Sequence, residues 1–131
     1  MGYALSTTVD RPFDDTVEAV RAALQDQGFG VLTEIDLKAT LKAKLDVDIE
    51  PQVILGACRP PLAHAALQAE PSIGLLLPCN VVVRSAGTDR TVVEALDPDT
   101  MVELTGNVKL GEVATDAGAR LRSALDAVSG S

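Results

Sequence analysis

The sequence predicts an α+β fold in which a mostly antiparallel sheet is covered by helices. Three observations support this class. Apolar residues alternate with polar ones in several short segments, as in strands, and recur at helical spacing in others. Two strand-like segments are separated only by the turn-forming residues AGTD, which predicts a hairpin. A long apolar stripe near the C-terminus requires a sheet face to pack against.

The first half of the chain contains two predicted strands, each followed by a helix. Strand-like alternation runs from Tyr3 to Val9, and the period then changes to that of a helix, which Gly28 ends. The segment GVLTEID predicts the second strand. Asp36 is then the expected N-cap of a short helix. We expect that helix to bury one leucine stripe and to turn its lysines to water: Leu37, Leu41 and Leu45 inside, Lys38, Lys42 and Lys44 outside.

The second half contains three strands and ends in a long helix. A buried strand begins at Pro51, where a missing N–H group does least harm, and PPLAHAALQA predicts a helix with prolines in its first turn. The hairpin follows, and DPDTMVEL predicts a short helical turn. The last helix has the clearest pattern in the chain, one apolar stripe: Leu110, Val113, Ala117, Leu121, Leu125 and Val128.

The expected order is therefore β-α-β-α-β-α-β-β-α, in a single domain over residues 1–131. The connections around the third strand decide the architecture. The segment AEPSIGLLLP is long enough to return the chain to the end of the sheet that it left. We therefore expect strands two to five to form an antiparallel series with helical insertions. The alternative is a parallel α/β sheet in which the same helices are crossovers.

Composition argues against several function classes. A formal net charge of −8 opposes nucleic-acid binding, because phosphate contacts require a basic surface. Aromatic residues make up only 2% of the chain, which is too little for a stacking platform. No apolar run approaches the ~20 residues of a membrane helix. The N-terminus does not resemble a signal peptide, and two cysteines do not make a disulfide scaffold, so we expect a cytoplasmic protein.

Four motifs carry a resemblance to a known family: GFGVLTEID, VILGACRPPLAHAAL, GLLLPCNVVV and DPDTM. With these motifs in this order, the chain resembles the bacterial and archaeal family known as domain of unknown function 302 from Tyr3 to Val128. The resemblance implies a compact α+β domain that tends to form homodimers. It implies no reaction and supplies no catalytic residues. Arg59 stands where the family usually has Asn, in GACNP, so a long cation replaces an expected helix cap.

Both cysteines and the only histidine lie in the segment that runs from the end of the third strand to the start of the fourth. In the antiparallel arrangement, Cys58 and Cys79 come to the same end of the sheet. Cys58 also precedes a helix N-terminus, whose positive end and neighbouring Arg59 favour a thiolate. Two interpretations remain open here. The cysteines are small buried apolar residues, or they act as thiols, either as a redox pair or with His64 as ligands for zinc or copper.

Other candidate residues are fewer. Asn80 follows the second cysteine and could donate an amide to a ligand. Glu34 and Asp36 would face the same side of a strand, although Asp36 is better explained as a helix cap. No ordering of Ser, His and Asp suggests a triad, and we predict no catalytic residue and assign no cofactor.

The function that we expect is a dimeric binding or interaction module. Its small-ligand pocket would lie near Cys58, Arg59, Cys79 and Asn80. A small molecule or a protein would be its further partner. The alternative is a thiol-redox or metal-binding protein that uses Cys58, His64 and Cys79.

Overall fold

The computed structural model describes residues 2–130. Five strands alternate with five helices in the following order: β1 (Ala4–Val9), α1 (Phe13–Asp26), β2 (Gly30–Asp36), α2 (Leu37–Leu45), β3 (Gln52–Cys58), α3 (Pro60–Ala69), β4 (Cys79–Ser85), β5 (Thr91–Leu96), α4 (Asp99–Thr105) and α5 (Gly111–Gly130). Two short 3₁₀ segments, Pro71–Leu76 and Val108–Leu110, precede β4 and α5. The predicted α+β class is confirmed.

The five strands form one open sheet in the order β1-β5-β4-β3-β2, and every neighbouring pair is antiparallel. The predicted antiparallel series of strands two to five is therefore correct, and the parallel alternative is wrong. The 3₁₀ segment Pro71–Leu76 lies in the connection that brings the chain back to the end of β3. As a result, β4 starts beside the end of β3, where Cys79 pairs with Ala57.

Helices α1 and α5 cover one face of the sheet. They contact each other, and they contact β4 and β1 respectively. The buried apolar side chains of the three central strands lie on this face: Val53, Leu55, Ala57, Val81, Val83, Val93 and Ala95. Leu121, Leu125 and Val128 of the predicted stripe pack in this core, and Leu121 and Leu125 are 1% and 8% exposed. Leu110 and Val113 of the same stripe lie outside it, and Leu110 belongs to the 3₁₀ segment that precedes α5. The main core is almost entirely aliphatic.

A second, smaller core lies where the sheet ends. It joins α3 and α4 to the N-terminal part of α5 through five buried residues: Ala66, Ile73, Met101, Leu110 and Ala114. Asn107 ties this region together, because its amide nitrogen donates to the Ala69 carbonyl at 2.9 Å and to Glu70 at 3.1 Å. The amide oxygen of Asn107 also accepts from the backbone of Lys109.

Helix α2 differs from the prediction. Asp36 caps it as expected, accepting from the Ala39 N–H at 2.9 Å. The predicted buried leucine stripe is wrong, however, since none of the nine residues of α2 is buried and Leu45 is 66% exposed. The reason is that α2 is a connection at the outer edge of the sheet, where it contacts only β2 and β3 appreciably. Lys38 also departs from expectation, because it donates to the Ile49 carbonyl at 2.7 Å.

The other face of the sheet, here called the open face, lies opposite α1 and α5. Because side chains alternate along a strand, the observed registers assign its residues: Ala4, Ser6, Thr8, Thr33, Ile35, Gln52, Ile54, Gly56, Asn80, Val82, Arg84, Val92, Glu94 and Leu96. All but Gly56 are half-buried or exposed. Among the described helices, none combines the length and apolar character required to cross a bilayer.

Candidate functional site

Cys58 and Cys79 meet at one corner of the sheet, as the antiparallel prediction requires. Cys79 pairs with Ala57, so Cys58 lies one residue beyond that pair. Standard strand geometry then puts their Cα atoms about 6 Å apart. Both are free thiols and both are half-buried. Neighbouring strand residues alternate between faces, however, so the two thiols are close without being directly opposed.

The environment of Cys79 favours a protonated thiol. Burial raises the pKa of Cys79 above its usual value, and the nearby Cys58 raises it further. Cys79 also packs against the main core. At neutral pH it is therefore a weak nucleophile and a good packing residue. For Cys79, these properties agree better with a packed cysteine than with a redox-active one.

Arg59 supplies the most unusual polar group of the corner. Its side chain lies over Gly28, where the backbone has a φ of +85° and an added Cβ would come within 3.0 Å of the Arg59 Nε. Within residues 2–130, that Nε is buried and has no hydrogen-bond partner. A buried donor without an acceptor costs about 1–3 kcal/mol. Arg59 thus provides no side-chain cap for α3 and leaves its own Nε–H group unsatisfied.

A small void, here called the corner cavity, lies beside these residues under α3. Its volume is ≈20 Å³, and its walls include Cys58, Arg59, Cys79, Ala66 and Met101. A volume of this size holds a water molecule, whereas pockets for small molecules usually measure about 300–1,000 Å³. The cavity therefore accommodates only a very small group unless α3 moves. Ala66 is the one buried residue of that helix, and it packs in the smaller core.

The remaining predicted site residues do not join the corner cavity. His64 is exposed on α3. Within the described part of the chain, no three His, Cys, Asp or Glu side chains are grouped so that they could hold a metal ion. The set Cys58, His64 and Cys79 is therefore not brought together as a ligand cluster. Asn80 is exposed on the open face, where it lines a shallow groove of ≈250 Å³ with Tyr3 and other residues.

A larger cleft, which the sequence did not predict, lies between α1 and β2. This acidic cleft has a volume of ≈480 Å³ and is lined by five carboxylates, one lysine and several apolar or neutral groups. The charged lining residues are Asp14, Asp15, Glu18, Glu34, Asp36 and Lys38. Glu34 also forms an ion pair with Arg21 of α1. The shared orientation of Glu34 and Asp36 was the available signal, but their proximity to α1 could not be inferred from spacing.

The family assignment follows from comparison with known proteins. The family model described as Domain of unknown function DUF302 matches residues 5–128. The chain belongs to the DUF302 family. A crystal structure of an uncharacterized conserved DUF302 protein from Bacillus stearothermophilus is 30% identical, with a TM-score of 0.88. The match covers 97% of this chain and 98% of that one. No curated protein matches the sequence. The DUF302 resemblance read from the motifs is thus confirmed.

Proposed function

We propose that this DUF302 protein is a dimeric interaction module that associates with a second copy through the open face of its sheet. The supporting observation is the one-sided helix layer. Aliphatic side chains of the three central strands remain only half-buried on the open face, including Ile54, Val82 and Val92. A sheet with one apolar face uncovered gains stability when that face is packed against another layer.

The size of the open face suits a modest dimer interface. Five strands of six or seven residues, spaced about 4.8 Å apart, present a face of roughly 500 Å². Two such faces together bury roughly 1,000 Å², which is near the lower limit for a specific interface. The two charged residues of the open face also compensate each other, because Arg84 Nε donates to Glu94 at 3.1 Å. Packing this face against a copy therefore buries an existing ion pair rather than two separate charges.

Light scattering tests the dimer directly. At micromolar concentration we expect twice the chain mass of 13.6 kDa. Val82→Glu adds an unpaired carboxylate to the face that the dimer would bury, so it should shift the mass to that of one chain. The matched control is Ser123→Glu, which adds the same charge on the exposed side of α5. A wild-type mass of one chain would refute the proposal, and so would an equal effect of both substitutions.

We also propose a second role, in which the corner cavity holds a small hydrogen-bond acceptor against Arg59. The buried Nε without an acceptor supports it, since such groups often mark a water, ion or ligand position. Formate is a suitable probe, with chloride at equal ionic strength as its control. We expect formate alone to shift the Arg59 Nε–H resonance saturably, and Ala66→Leu, which fills the cavity, to abolish this shift. An unmoved resonance would exclude this role.

The state of Cys58 and Cys79 bears on both the thiol alternative and the cellular location. Two free cysteines, rather than a disulfide, suit a reducing compartment such as the cytoplasm. Native-state titration with a thiol reagent separates packing from redox chemistry. Packed cysteines should react only on unfolding, whereas a functional thiol at Cys58 should react in the folded protein near neutral pH. Rapid native labelling of Cys58 would favour the redox alternative.

A further inference from the structure

Strand β2 forms one edge of the described sheet, with no strand paired on its outer side. It is the last strand of the described sheet and pairs only with β3 there. Such edges present backbone N–H and C=O groups that can pair with another chain. A bulge between Val31 and Thr33 leaves Leu32 outside the ladder and 66% exposed. Beyond the bulge, residues 33–36 pair regularly with β3, so the straight part of the edge is about one short strand long.

The two sides of this edge differ chemically. Glu34 and Asp36 line the acidic cleft beside α1. Ile35, which lies between them in sequence, belongs to the open face and is 45% exposed. An additional strand would therefore meet carboxylates on one side and an apolar side chain on the other. Side chains of adjacent strands interact in directly opposed and diagonal pairs. A partner strand that fits this edge therefore alternates basic residues with apolar ones.

We propose that β2 accepts an extended basic segment of a partner protein as a sixth strand. Lysine or arginine at alternate positions of that segment would enter the acidic cleft, while the intervening apolar residues pack on Ile35 and Leu32. Strand addition of this kind takes affinity from backbone hydrogen bonds and specificity from alternate side chains. The volume of ≈480 Å³ leaves room for long basic side chains.

Charge argues for a basic partner over a second copy at this edge. Pairing two β2 strands would bring Glu34 and Asp36 of one copy next to the same carboxylates of the other, which is destabilising. The chain as a whole has 19 acidic and 11 basic residues, so its field also repels copies and attracts cations. The dimer proposed above uses the open face, whereas strand addition uses the backbone edge of β2, and the two surfaces share Ile35.

Synthetic peptides test the strand addition. The probe is a fluorescent ten-residue peptide that alternates Lys with Val or Thr, titrated at low salt and followed by anisotropy. We expect saturable binding, no binding of the same peptide with Glu in place of Lys, and at least tenfold weaker binding after N-methylation of alternate backbone amides. Equal binding of the methylated peptide would overturn the proposal, because charge attraction without strand pairing would then explain the affinity.

Two double variants test the role of the cleft. Asp15→Asn with Glu18→Gln neutralises two exposed cleft carboxylates on α1 and should weaken peptide binding roughly two- to thirtyfold, as loss of two exposed ion pairs predicts. The control, Glu103→Gln with Glu112→Gln, removes the same charge from exposed positions on α4 and α5. Equal weakening by both doubles would overturn the proposal.

The proposal can fail separately from the dimer. A Val82→Glu protein that has become a monomer should still bind the Lys peptide, because β2 lies at the edge of the sheet and Val82 near its centre. If the peptide instead converts the wild-type dimer to a single chain of 13.6 kDa, the β2 edge is the self-association surface. That result would overturn both the partner inference and the open-face interface.

Discussion

Truncation of Leu121 to alanine should remove a large part of the stability of the fold. Leu121 lies in the middle of the stripe of α5 and is 1% exposed. The change removes three carbon atoms, worth about 2.4 kcal/mol at ~0.8 kcal/mol per buried CH₂. It also enlarges a void of ≈10 Å³ between α1, α5 and the sheet. Six other buried residues of α5 hold the helix in place, which limits its movement into the gap. We expect a total loss of about 3–4 kcal/mol.

The matched control is Leu104→Ala in α4, since Leu104 is 72% exposed. It makes the same chemical change in a helix and should cost less than about 0.5 kcal/mol. Urea unfolding followed by far-UV circular dichroism gives both values. The protein concentration must be held fixed, because the proposed dimer would couple the measured stability to it. A difference of under 0.5 kcal/mol between the two variants would show that α5 does not cover the sheet as described.

Three further substitutions or conditions probe other parts of the structure. Gly56→Ala should cost about 1–3 kcal/mol in urea unfolding, because a Cβ there would lie 2.9 Å from the ring of Pro78; an unchanged midpoint would contradict this close approach. Asn107→Ala should raise the pKa of Glu70 in an NMR titration, since the Asn107 amide is the main cause that lowers it. Burial raises the pKa of Cys79 above 9.0, so the protonated thiol is favoured in the folded state. This contribution to stability is present below pH 9 and should decrease as the pH rises through the raised pKa, which unfolding curves at several alkaline pH values will reveal.

Most of the fold could be predicted from local sequence patterns. The stripe of α5 and the hairpin are short-range features, and the length of AEPSIGLLLP was enough to predict that Cys58 and Cys79 share a corner. The same reasoning failed for Leu45, because an apolar stripe shows which side of a helix could be buried and not whether a neighbour covers it.

The candidate sites depended more on long-range contacts. Arg59 could be singled out from the sequence, but its contact with Gly28 could not, because the two residues are far apart in the chain. The acidic cleft was missed for a similar reason. Its carboxylates come from α1 and β2, and each set had a sufficient local explanation, as first-turn helix charges or as the Asp36 cap. Spacing alone contains no information on which helix approaches which strand.

The pairing of β1 with β5 imposes an order on the synthesis of the protein. Thr91 is the partner of Val9, although about 80 residues separate them in the chain. On the ribosome, at 5–20 residues per second, β1 therefore waits roughly 4–16 s before its partner strand exists. The sequence ALSTTV is suited to that interval, because its serine and threonines make an unpaired strand less prone to aggregate than a run of valines. β1 therefore cannot pair in the sheet before β5 has been synthesised, and its polar residues lower the risk of aggregation during that interval.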